Sequence, residues 1–235
     1  ARREILNEIS FTVESGMKAA ILGKSGCGKT TLLNIIAGFE QADLGEVKLC
    51  GACVSGPSDR QAVVFQSPAL FPWLNVLQNV AYGLRRQGVE KAKREQAARE
   101  MLRKVELQEF ETYYPHQLSG GMQQRVALAR VFVMRPPLLL MDEPFAALDA
   151  QLRDQMQLLL LKLCEDYQPM VLFVTHDVEE AIRIADQILF LDGQPAGIAR
   201  EIPVSLTYAQ RTCKEGQIEI AMMKDKLKQQ LFRGA

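Results

Sequence analysis

Residues 19–33 have the sequence AAILGKSGCGKTTLL, in which a short apolar run leads through a glycine-rich segment into a second apolar run. The segment matches the phosphate-binding pattern G-x-x-x-x-G-K-[ST] in every required position. Its glycines let successive backbone N–H groups face one concavity, and the helix that we predict from Thr30 to Ala37 adds the positive end of its dipole. We therefore predict a phosphate-binding loop in which Lys29 reaches the β- and γ-phosphates of a nucleotide and Thr30 binds Mg²⁺. The predicted binding residues are Gly23, Lys24, Ser25, Gly26, Cys27, Gly28, Lys29, Thr30 and Thr31.

A glycine-rich turn without a ligand is the alternative for this segment. The position of the loop, directly after an apolar strand and directly before a helix, favours the phosphate-binding interpretation. Because Cys27 lies inside the loop, we predict that alkylation of its thiol blocks nucleotide binding.

The composition is that of a globular chain with balanced charge. The chain has 235 residues, of which 48% are hydrophobic, with 28 Lys and Arg against 28 Asp and Glu. This length predicts one compact domain with at most one inserted subdomain. A net charge of zero removes the electrostatic attraction on which non-specific nucleic-acid binding depends, so we expect no nucleic-acid partner. No apolar stretch approaches the ~18 residues needed to cross a bilayer, and the first residues lack the apolar core of a signal peptide, so we expect a cytoplasmic location.

The cysteines favour neither a disulfide framework nor a metal site. There are five of them, an odd number at irregular spacing. Cys50 and Cys53 form a C-x-x-C pair, which admits a metal or redox interpretation. However, a zinc site needs a second pair of ligands, and we predict a strand and a turn here rather than the helix start of a redox motif.

The remaining pattern predicts an α/β fold with a P-loop NTPase (RecA-like) core. Apolar or alternating runs typical of strands lie at 5–13, 47–50, 62–65, 138–141, 170–174 and 188–191. We expect the first three to form an antiparallel β portion and the last three to join the strand at 19–22 in a parallel sheet. Helical spacing over about 76–134 predicts an inserted helical subdomain. The main domain then covers residues 1–200, and a partly helical tail covers 201–235.

Two acidic residues follow the apolar strand at 138–141. In P-loop enzymes a carboxylate at the end of such a strand lies beside the metal ion, so we assign Asp142 to Mg²⁺. The next residue, Glu143, is predicted to be the base that orients or deprotonates the attacking water. A solvated strand edge is the alternative, and the complete phosphate-binding loop upstream favours the functional interpretation.

A second candidate anion site lies at residues 119–121. Ser119 is a natural N-cap for the helix that follows, and Gly120 and Gly121 leave the amides of its first turn accessible. An ordinary capped helix is the alternative.

The order of these motifs resembles the nucleotide-binding subunit of an ATP-binding cassette (ABC) transporter. The phosphate-binding loop is followed by Leu-Ser-Gly-Gly at 118–121, the strand with Asp-Glu at 142–143, Ala-Leu-Asp at 147–149 and a strand that ends before His176. The resemblance covers nearly all of residues 4–200. The sequences LFPWLNV at 70–76 and FAALD at 145–149 are similar to importers of nitrate, taurine and aliphatic sulfonates.

The resemblance implies roles for three further residues and a requirement for ATP and Mg²⁺. Gln66 corresponds to the glutamine that contacts Mg²⁺ and the attacking water. His176 corresponds to the histidine that hydrogen-bonds the γ-phosphate and holds Glu143 in place. Asp149 corresponds to the loop aspartate that couples the sites of two subunits.

The resemblance also implies partners. Ser119, Gly120 and Gly121 are expected to contact the nucleotide of a second copy or a paralogue of the chain, in a head-to-tail dimer with two ATP molecules at its interface. Two transmembrane permease subunits and, indirectly, an extracytoplasmic solute-binding protein complete the expected importer. The chain is then expected on the cytoplasmic face of the inner membrane. Leu70, Phe71, Trp73 and Leu74 are either an exposed patch for a permease helix or part of the core.

The chain departs from the family pattern in two respects, and two other functions are alternatives. Met122 replaces the glutamine that usually follows Leu-Ser-Gly-Gly, and the aromatic residue that stacks on adenine is not identifiable. A soluble ABC-type ATPase acting on nucleic acid or ribosomes is the main alternative, but the chain lacks a second cassette, long coiled-coil insertions and basic extensions. A P-loop kinase is another alternative, but a kinase has no need of the segment at 118–121.

Overall fold

The computed structural model describes residues 4–232, which form a six-stranded sheet with helices on both faces and a separate two-stranded hairpin. The strands are β1 (Lys18–Gly23), β2 (Lys48–Leu49), β3 (Ala52–Cys53), β4 (Gln61–Val64), β5 (Leu138–Asp142), β6 (Met170–Thr175), β7 (Gln187–Asp192) and β8 (Gly197–Pro203). The helices are α1 (Lys29–Ile36), α2 (Val76–Arg86), α3 (Lys91–Lys104), α4 (Gly120–Phe132), α5 (Ala150–Tyr167), α6 (Val178–Ile184), α7 (Tyr208–Thr212) and α8 (Lys214–Phe232).

The main sheet has the order β4-β5-β6-β1-β7-β8, in which the first five strands are parallel and β8 is antiparallel to β7. Alternate residues of β1 enter two different cores. Ala19 and Ile21 pack on the side of α1, whereas Ala20 and Leu22 pack on the side of α4, α5 and α6. A strand covered on both faces requires a continuous apolar run, which β1, β5, β6 and β7 have. The predicted α/β class is confirmed.

The prediction that residues 62–65 join an antiparallel portion is wrong. They belong to β4, which pairs in parallel with β5 from Gln61 opposite Leu138 to Val64 opposite Met141. Burial of Ala62 and Val64 on one face, and packing of Val63 on the other, suits the main sheet rather than a half-exposed hairpin. The antiparallel part consists instead of the β2–β3 hairpin and β8.

The prediction of a strand at residues 5–13 is also wrong. Leu6 forms one isolated bridge with Ala196, and the backbone at Glu8 has φ +48°, which interrupts an extended conformation. The alternating apolar residues still serve the core, because they pack against the cluster on the α1 side of the sheet.

Helices α2, α3 and α4 fill the sequence between β4 and β5. Asn75 begins α2 with a capping box in which its side chain accepts from the Gln78 backbone N–H and the Gln78 side chain accepts from the Asn75 N–H. Helix α4 packs on α2, on β4 and on α5, so its first turn is fixed relative to the sheet.

Helices α7 and α8 follow β8, and α8 packs on α6 with Ile220 and Leu227 buried. Within residues 4–232, no helix is both long enough and apolar enough to cross a bilayer.

Candidate nucleotide site

Four parallel strands bring the predicted site residues to one edge of the sheet. β1 leads into the glycine-rich loop, β4 ends two residues before Gln66, β5 ends at Asp142, and β6 ends directly before His176. Because the carboxyl ends of parallel strands meet at the same edge, ligands in open α/β sheets bind there. The correction to β4 therefore matters for function, since it places the Gln66 segment beside the strand that carries Asp142 and Glu143.

Lys29 occupies the centre of the glycine-rich loop. Its Nζ donates to the carbonyl oxygens of Gly23 and Lys24, each at 2.9 Å, and the residue is 5% exposed. Gly28, with φ +100°, provides the left-handed backbone that turns the loop into α1. A side chain at Gly28 would also collide with Leu6, at 2.8 Å. The loop thus holds an ammonium group against carbonyl oxygens that phosphate oxygens can replace as partners.

Thr30 and Asp142 form the part of the site that suits a divalent cation. The Thr30 hydroxyl donates to Asp142 Oδ1 at 3.3 Å. Burial raises the pKa of Asp142, and the neighbouring charge of Glu143 raises it further. The hydrogen bond from Thr30 and the charge of Lys29 act in the opposite direction.

This donor set fits Mg²⁺, which prefers oxygen ligands and is commonly held by one or two carboxylates, waters and substrate phosphates. No group of three or more His, Cys, Asp and Glu side chains suited to a metal occurs in the described part of the chain. The side chain of Gln66 is exposed.

Glu143 and His176 lie within hydrogen-bond distance of each other, with His176 Nδ1 3.3 Å from Glu143 Oε1. Glu143 has φ +43°, an uncommon conformation for a residue with a side chain. Its backbone N–H donates to the carbonyl of Val174 at 3.0 Å, which fixes this turn to β6. Backbone strain of this kind persists where the surrounding structure holds it and is common in active sites.

A cavity of about 620 Å³ lies along these elements. It is lined by residues 25–31, by Glu143, by Glu4 and Ile5, and by residues 193–195. The sequence patterns did not identify the 193–195 loop. It reaches the site because β7 lies beside β1 in the sheet, an arrangement that no local pattern specifies.

Ser119, Gly120 and Gly121 do not line this cavity of their own chain. Ser119 caps α4, because its side chain accepts from the Met122 N–H at 3.3 Å. A Cβ at Gly120 would meet nothing within 4 Å, whereas one at Gly121 would lie 2.6 Å from Leu152. Gly120 therefore leaves a surface open for close approach, and Gly121 allows α4 to pack against α5.

Asp149 caps α5 by accepting from the Leu152 N–H at 2.9 Å, and it too lies outside the residues that line the cavity. The packing of Gly121 against Leu152 connects the start of α4 with the first turn of α5. Of the predicted site residues, 25–31 and Glu143 line the cavity, whereas 119–121 and Asp149 lie apart from it, at the adjoining starts of α4 and α5.

Comparison with known proteins supports one family. The profile of the ABC transporter family matches residues 6–146. The taurine import ATP-binding protein TauB of Escherichia coli O157:H7 is 48% identical over 209 residues, which cover 89% of this chain and 81% of that protein. TauB of Pseudomonas aeruginosa is 47% identical over 203 residues, with coverage of 86% and 77%.

Solved structures agree. The ATP-binding cassette MJ0796, in a dimeric post-hydrolysis state bound to ADP and Pi, is 33% identical with a TM-score of 0.72, over 86% of this chain and 92% of that one. The cbiO1 protein of Clostridium perfringens shares the fold, with a TM-score of 0.78 at 23% identity over 97% and 90% of the two chains. The P-loop NTPase fold is confirmed. The chain therefore belongs to the ABC transporter family, as an ATP-binding subunit that hydrolyses ATP.

Proposed function

We propose that this protein is the ATPase subunit of an importer for a small oxyanion of the nitrate, sulfonate or taurine class. The similarity to proteins named for taurine import, at 48% identity over most of both chains, supports the importer assignment. The structural observation that carries the proposal is the convergence of Lys29, the Thr30–Asp142 pair and the Glu143–His176 pair at one sheet edge.

ATP binds with its phosphates in the glycine-rich loop. Lys29 exchanges the carbonyl oxygens of Gly23 and Lys24 for β- and γ-phosphate oxygens, while the loop amides and the start of α1 face the same charge. Thr30, Asp142 and Gln66 would hold Mg²⁺. When bound, this ion neutralises charge that develops on the phosphate oxygens.

Hydrolysis depends on Glu143 and His176. Glu143 Oε accepts a hydrogen bond from the attacking water and orients it toward the γ-phosphate. His176, 3.3 Å from Glu143, holds this carboxylate in place and donates to the γ-phosphate. Positioning of this kind supplies much of the catalysis in phosphoryl transfer, where the protein performs little covalent chemistry.

A second copy or a paralogue completes each site. Ser119, Gly120 and Gly121 lie away from the cavity of their own chain, and Gly120 is open to close approach. Amides at the start of α4 then contact the nucleotide bound in the partner's loop, and Asp149 lies in the same interface. The dimeric state of the related cassette MJ0796 supports this arrangement.

The segment after Gln66 is the proposed docking surface for the permease. Trp73 is 71% exposed and packs on Phe71, with ring centroids 5.7 Å apart. Asn79, which is fully buried, holds the segment by hydrogen bonds with the backbone N–H and C=O of Phe71 and with the C=O of Leu74. An exposed aromatic side chain on a firmly held loop suits a partner helix.

Two permease subunits, and an extracytoplasmic solute-binding protein that acts through them, complete the proposed importer. The subunit is then peripheral on the cytoplasmic face of the inner membrane. The alternative, an ABC-type ATPase acting on nucleic acid or ribosomes, is not favoured, because the net charge is zero and the relatives are import subunits.

Glu143→Gln tests the assigned chemistry. The variant should bind ATP with unchanged affinity, lose at least about 100-fold in turnover and accumulate as a nucleotide-bound dimer in size-exclusion chromatography. Glu165→Gln, an exposed position on α5, is the matched control and should retain wild-type turnover. Normal hydrolysis by Glu143→Gln would remove Glu143 from its role, and phosphate transfer to a small acceptor rather than to water would indicate a kinase.

A further inference from the structure

The main chain on both sides of His176 is fixed by side-chain hydrogen bonds. Thr175, the last residue of β6, accepts from the backbone N–H of Asp177 at 3.0 Å through its Oγ1. Asp177 in turn accepts from the Glu179 N–H at 2.8 Å and so caps α6. The residues that flank His176 are therefore joined to each other, and the direction of the imidazole depends on them.

Glu180 determines the direction in which the Thr175 hydroxyl group donates its hydrogen. Thr175 Oγ1 donates to Glu180 Oε2. A hydroxyl has a single hydrogen, so donation to Glu180 leaves its lone pairs free to accept from Asp177. Without Glu180, the Thr175 hydroxyl can rotate, and the hydrogen bond across His176 loses its preferred direction.

Burial of the Glu180 carboxyl group is unfavourable for the stability of the fold. It is 7% exposed, and its Oε1 is buried without a hydrogen-bond partner among the described residues. A buried polar atom without a partner destabilises the native state, and such atoms are few in native proteins. None of the roles assigned so far to the nucleotide site accounts for this carboxyl group.

Arg153 connects the same segment to the loop that contains Asp149. Its Nη2 donates to the carbonyl of Leu148 at 3.0 Å, and its Nη1 lies 3.9 Å from Asp177 Oδ2. Its Nε is buried and has no partner within residues 4–232. The guanidinium group thus contacts the segments on both sides, one next to Asp149 and one next to His176.

We propose that Glu180 and Arg153 are positioning residues for ATP hydrolysis. Glu180 acts through Thr175 to hold His176 toward Glu143, and Arg153 fixes this segment relative to the loop of Asp149. The inference rests on the proposed roles of Glu143, His176 and Asp149. It adds a route by which closure of the dimer at the Asp149 loop affects the geometry of His176.

Steady-state kinetics of Thr175→Val, Glu180→Ala and the double variant test the role of Glu180. Each single variant should lower kcat about tenfold and leave the KM for ATP within about twofold, because the glycine-rich loop is untouched. The double variant should be no slower than Thr175→Val, since both changes remove the Thr175–Glu180 hydrogen bond and only Thr175→Val also removes the bond from Asp177. Glu180→Gln should restore kcat to within about twofold of the wild type, because its amide oxygen still accepts from Thr175.

Glu179→Ala is the matched control, because Glu179 lies on the same helix, is exposed and pairs with Lys224. It should retain the wild-type kcat. Arg153→Lys keeps the charge but cannot contact both segments in the same way, and it should lower kcat with an unchanged affinity for ATP. Thermal unfolding of each variant verifies the fold, and the nearly isosteric Thr175→Val provides the test if Glu180→Ala does not fold.

Two results separate this inference from the proposed function. If Glu143→Gln abolishes hydrolysis while Thr175→Val and Arg153→Lys keep the wild-type kcat, the positioning role is wrong and the function stands. If Glu143→Gln hydrolyses ATP normally, the proposed catalytic assignment is itself wrong.

Discussion

Replacement of Glu180 by Gln is expected to change how the stability of the protein depends on pH. Burial raises the pKa of the Glu180 carboxyl in the native state from 4.5 to about 7, and the charge of Asp177 adds to this effect. The hydrogen bond from Thr175 and the positive charges of Arg153 and His176 oppose it. Lys224, from the helix packed on α6, pairs instead with Glu179.

The direction of the effect follows from proton linkage. Because the pKa of Glu180 is higher in the native state than in the unfolded chain, the native state binds the proton more tightly. The resulting stabilisation is fully present below pH 4.5 and is lost as the pH rises through about 7. At about 1.4 kcal/mol per pH unit the total is about 3 kcal/mol, most of which is lost between pH 5 and pH 8.

Urea unfolding followed by far-UV circular dichroism, at pH 5 and at pH 8, measures this difference. Glu180→Gln cannot titrate, so its free energy of unfolding should fall by about 2–3 kcal/mol less than that of the wild type over this range. Titrating groups that do not interact with Glu180 are common to both proteins and cancel in the comparison. Glu179→Gln, at an exposed position of the same helix, should follow the wild type.

Parallel behaviour of the wild type and Glu180→Gln from pH 5 to pH 8 would show that the pKa of Glu180 is not raised in the native state. It would mean that the Glu180 carboxyl is already ionised in the native protein at pH 5, despite its burial.

Two further predictions concern the loop and the start of α4. In a variant whose exposed cysteines are replaced by serine, alkylation of Cys27 should abolish ATP binding. Bound nucleotide should in turn slow the alkylation, because Cys27 lines the cavity. Cys27→Ala should be insensitive to the reagent, and full ATP binding after complete modification would contradict the prediction. Gly121→Ala should be about 1–3 kcal/mol less stable than Gly120→Ala in thermal or urea unfolding, because only at Gly121 does a Cβ approach Leu152, at 2.6 Å. Equal stability of these two variants would show that α4 and α5 can separate without cost.

Local sequence predicted the parts of the site that depend on a single segment. The glycine-rich loop, and the acids Asp142 and Glu143 at the end of an apolar run, were identified because a strand and the turn after it are contiguous in sequence. The pairing of β4 with β5 was predicted incorrectly, since the composition of residues 62–65 suits a strand in either arrangement. The 193–195 loop was not recognised as part of the cavity, because its place depends on the position of β7 in the sheet.

The contacts of His176 could not be predicted from local sequence patterns either. The sequence places His176 at a strand end, but the distance to Glu143 depends on the pairing of β5 with β6. Burial of Glu180 depends on the packing of α6 against the sheet and α8. A Glu at this position of a short helix would otherwise be expected to lie in solvent.

In the proposed dimer, each nucleotide is bound between the glycine-rich loop of one copy and residues 119–121 of another. Two variants, Lys29→Ala and Gly120→Leu, can be made in the Glu143→Gln background, which is expected to retain bound ATP. Gly120→Leu should fold, because the position is open in the structure. A dimer of either variant alone has no site in which both Lys29 of one copy and Gly120 of the other are intact. A mixed dimer has one such site.

The most direct measurement is the ATP retained after gel filtration by an equimolar mixture of these two variants. Each mixed dimer has one intact site of two, so the mixture should retain about a quarter of the ATP held by Glu143→Gln alone if pairing is random, and up to about half if bound nucleotide favours mixed dimers. If the mixture retains no more ATP than the two variants measured separately, the nucleotide is not shared between copies and the account is wrong.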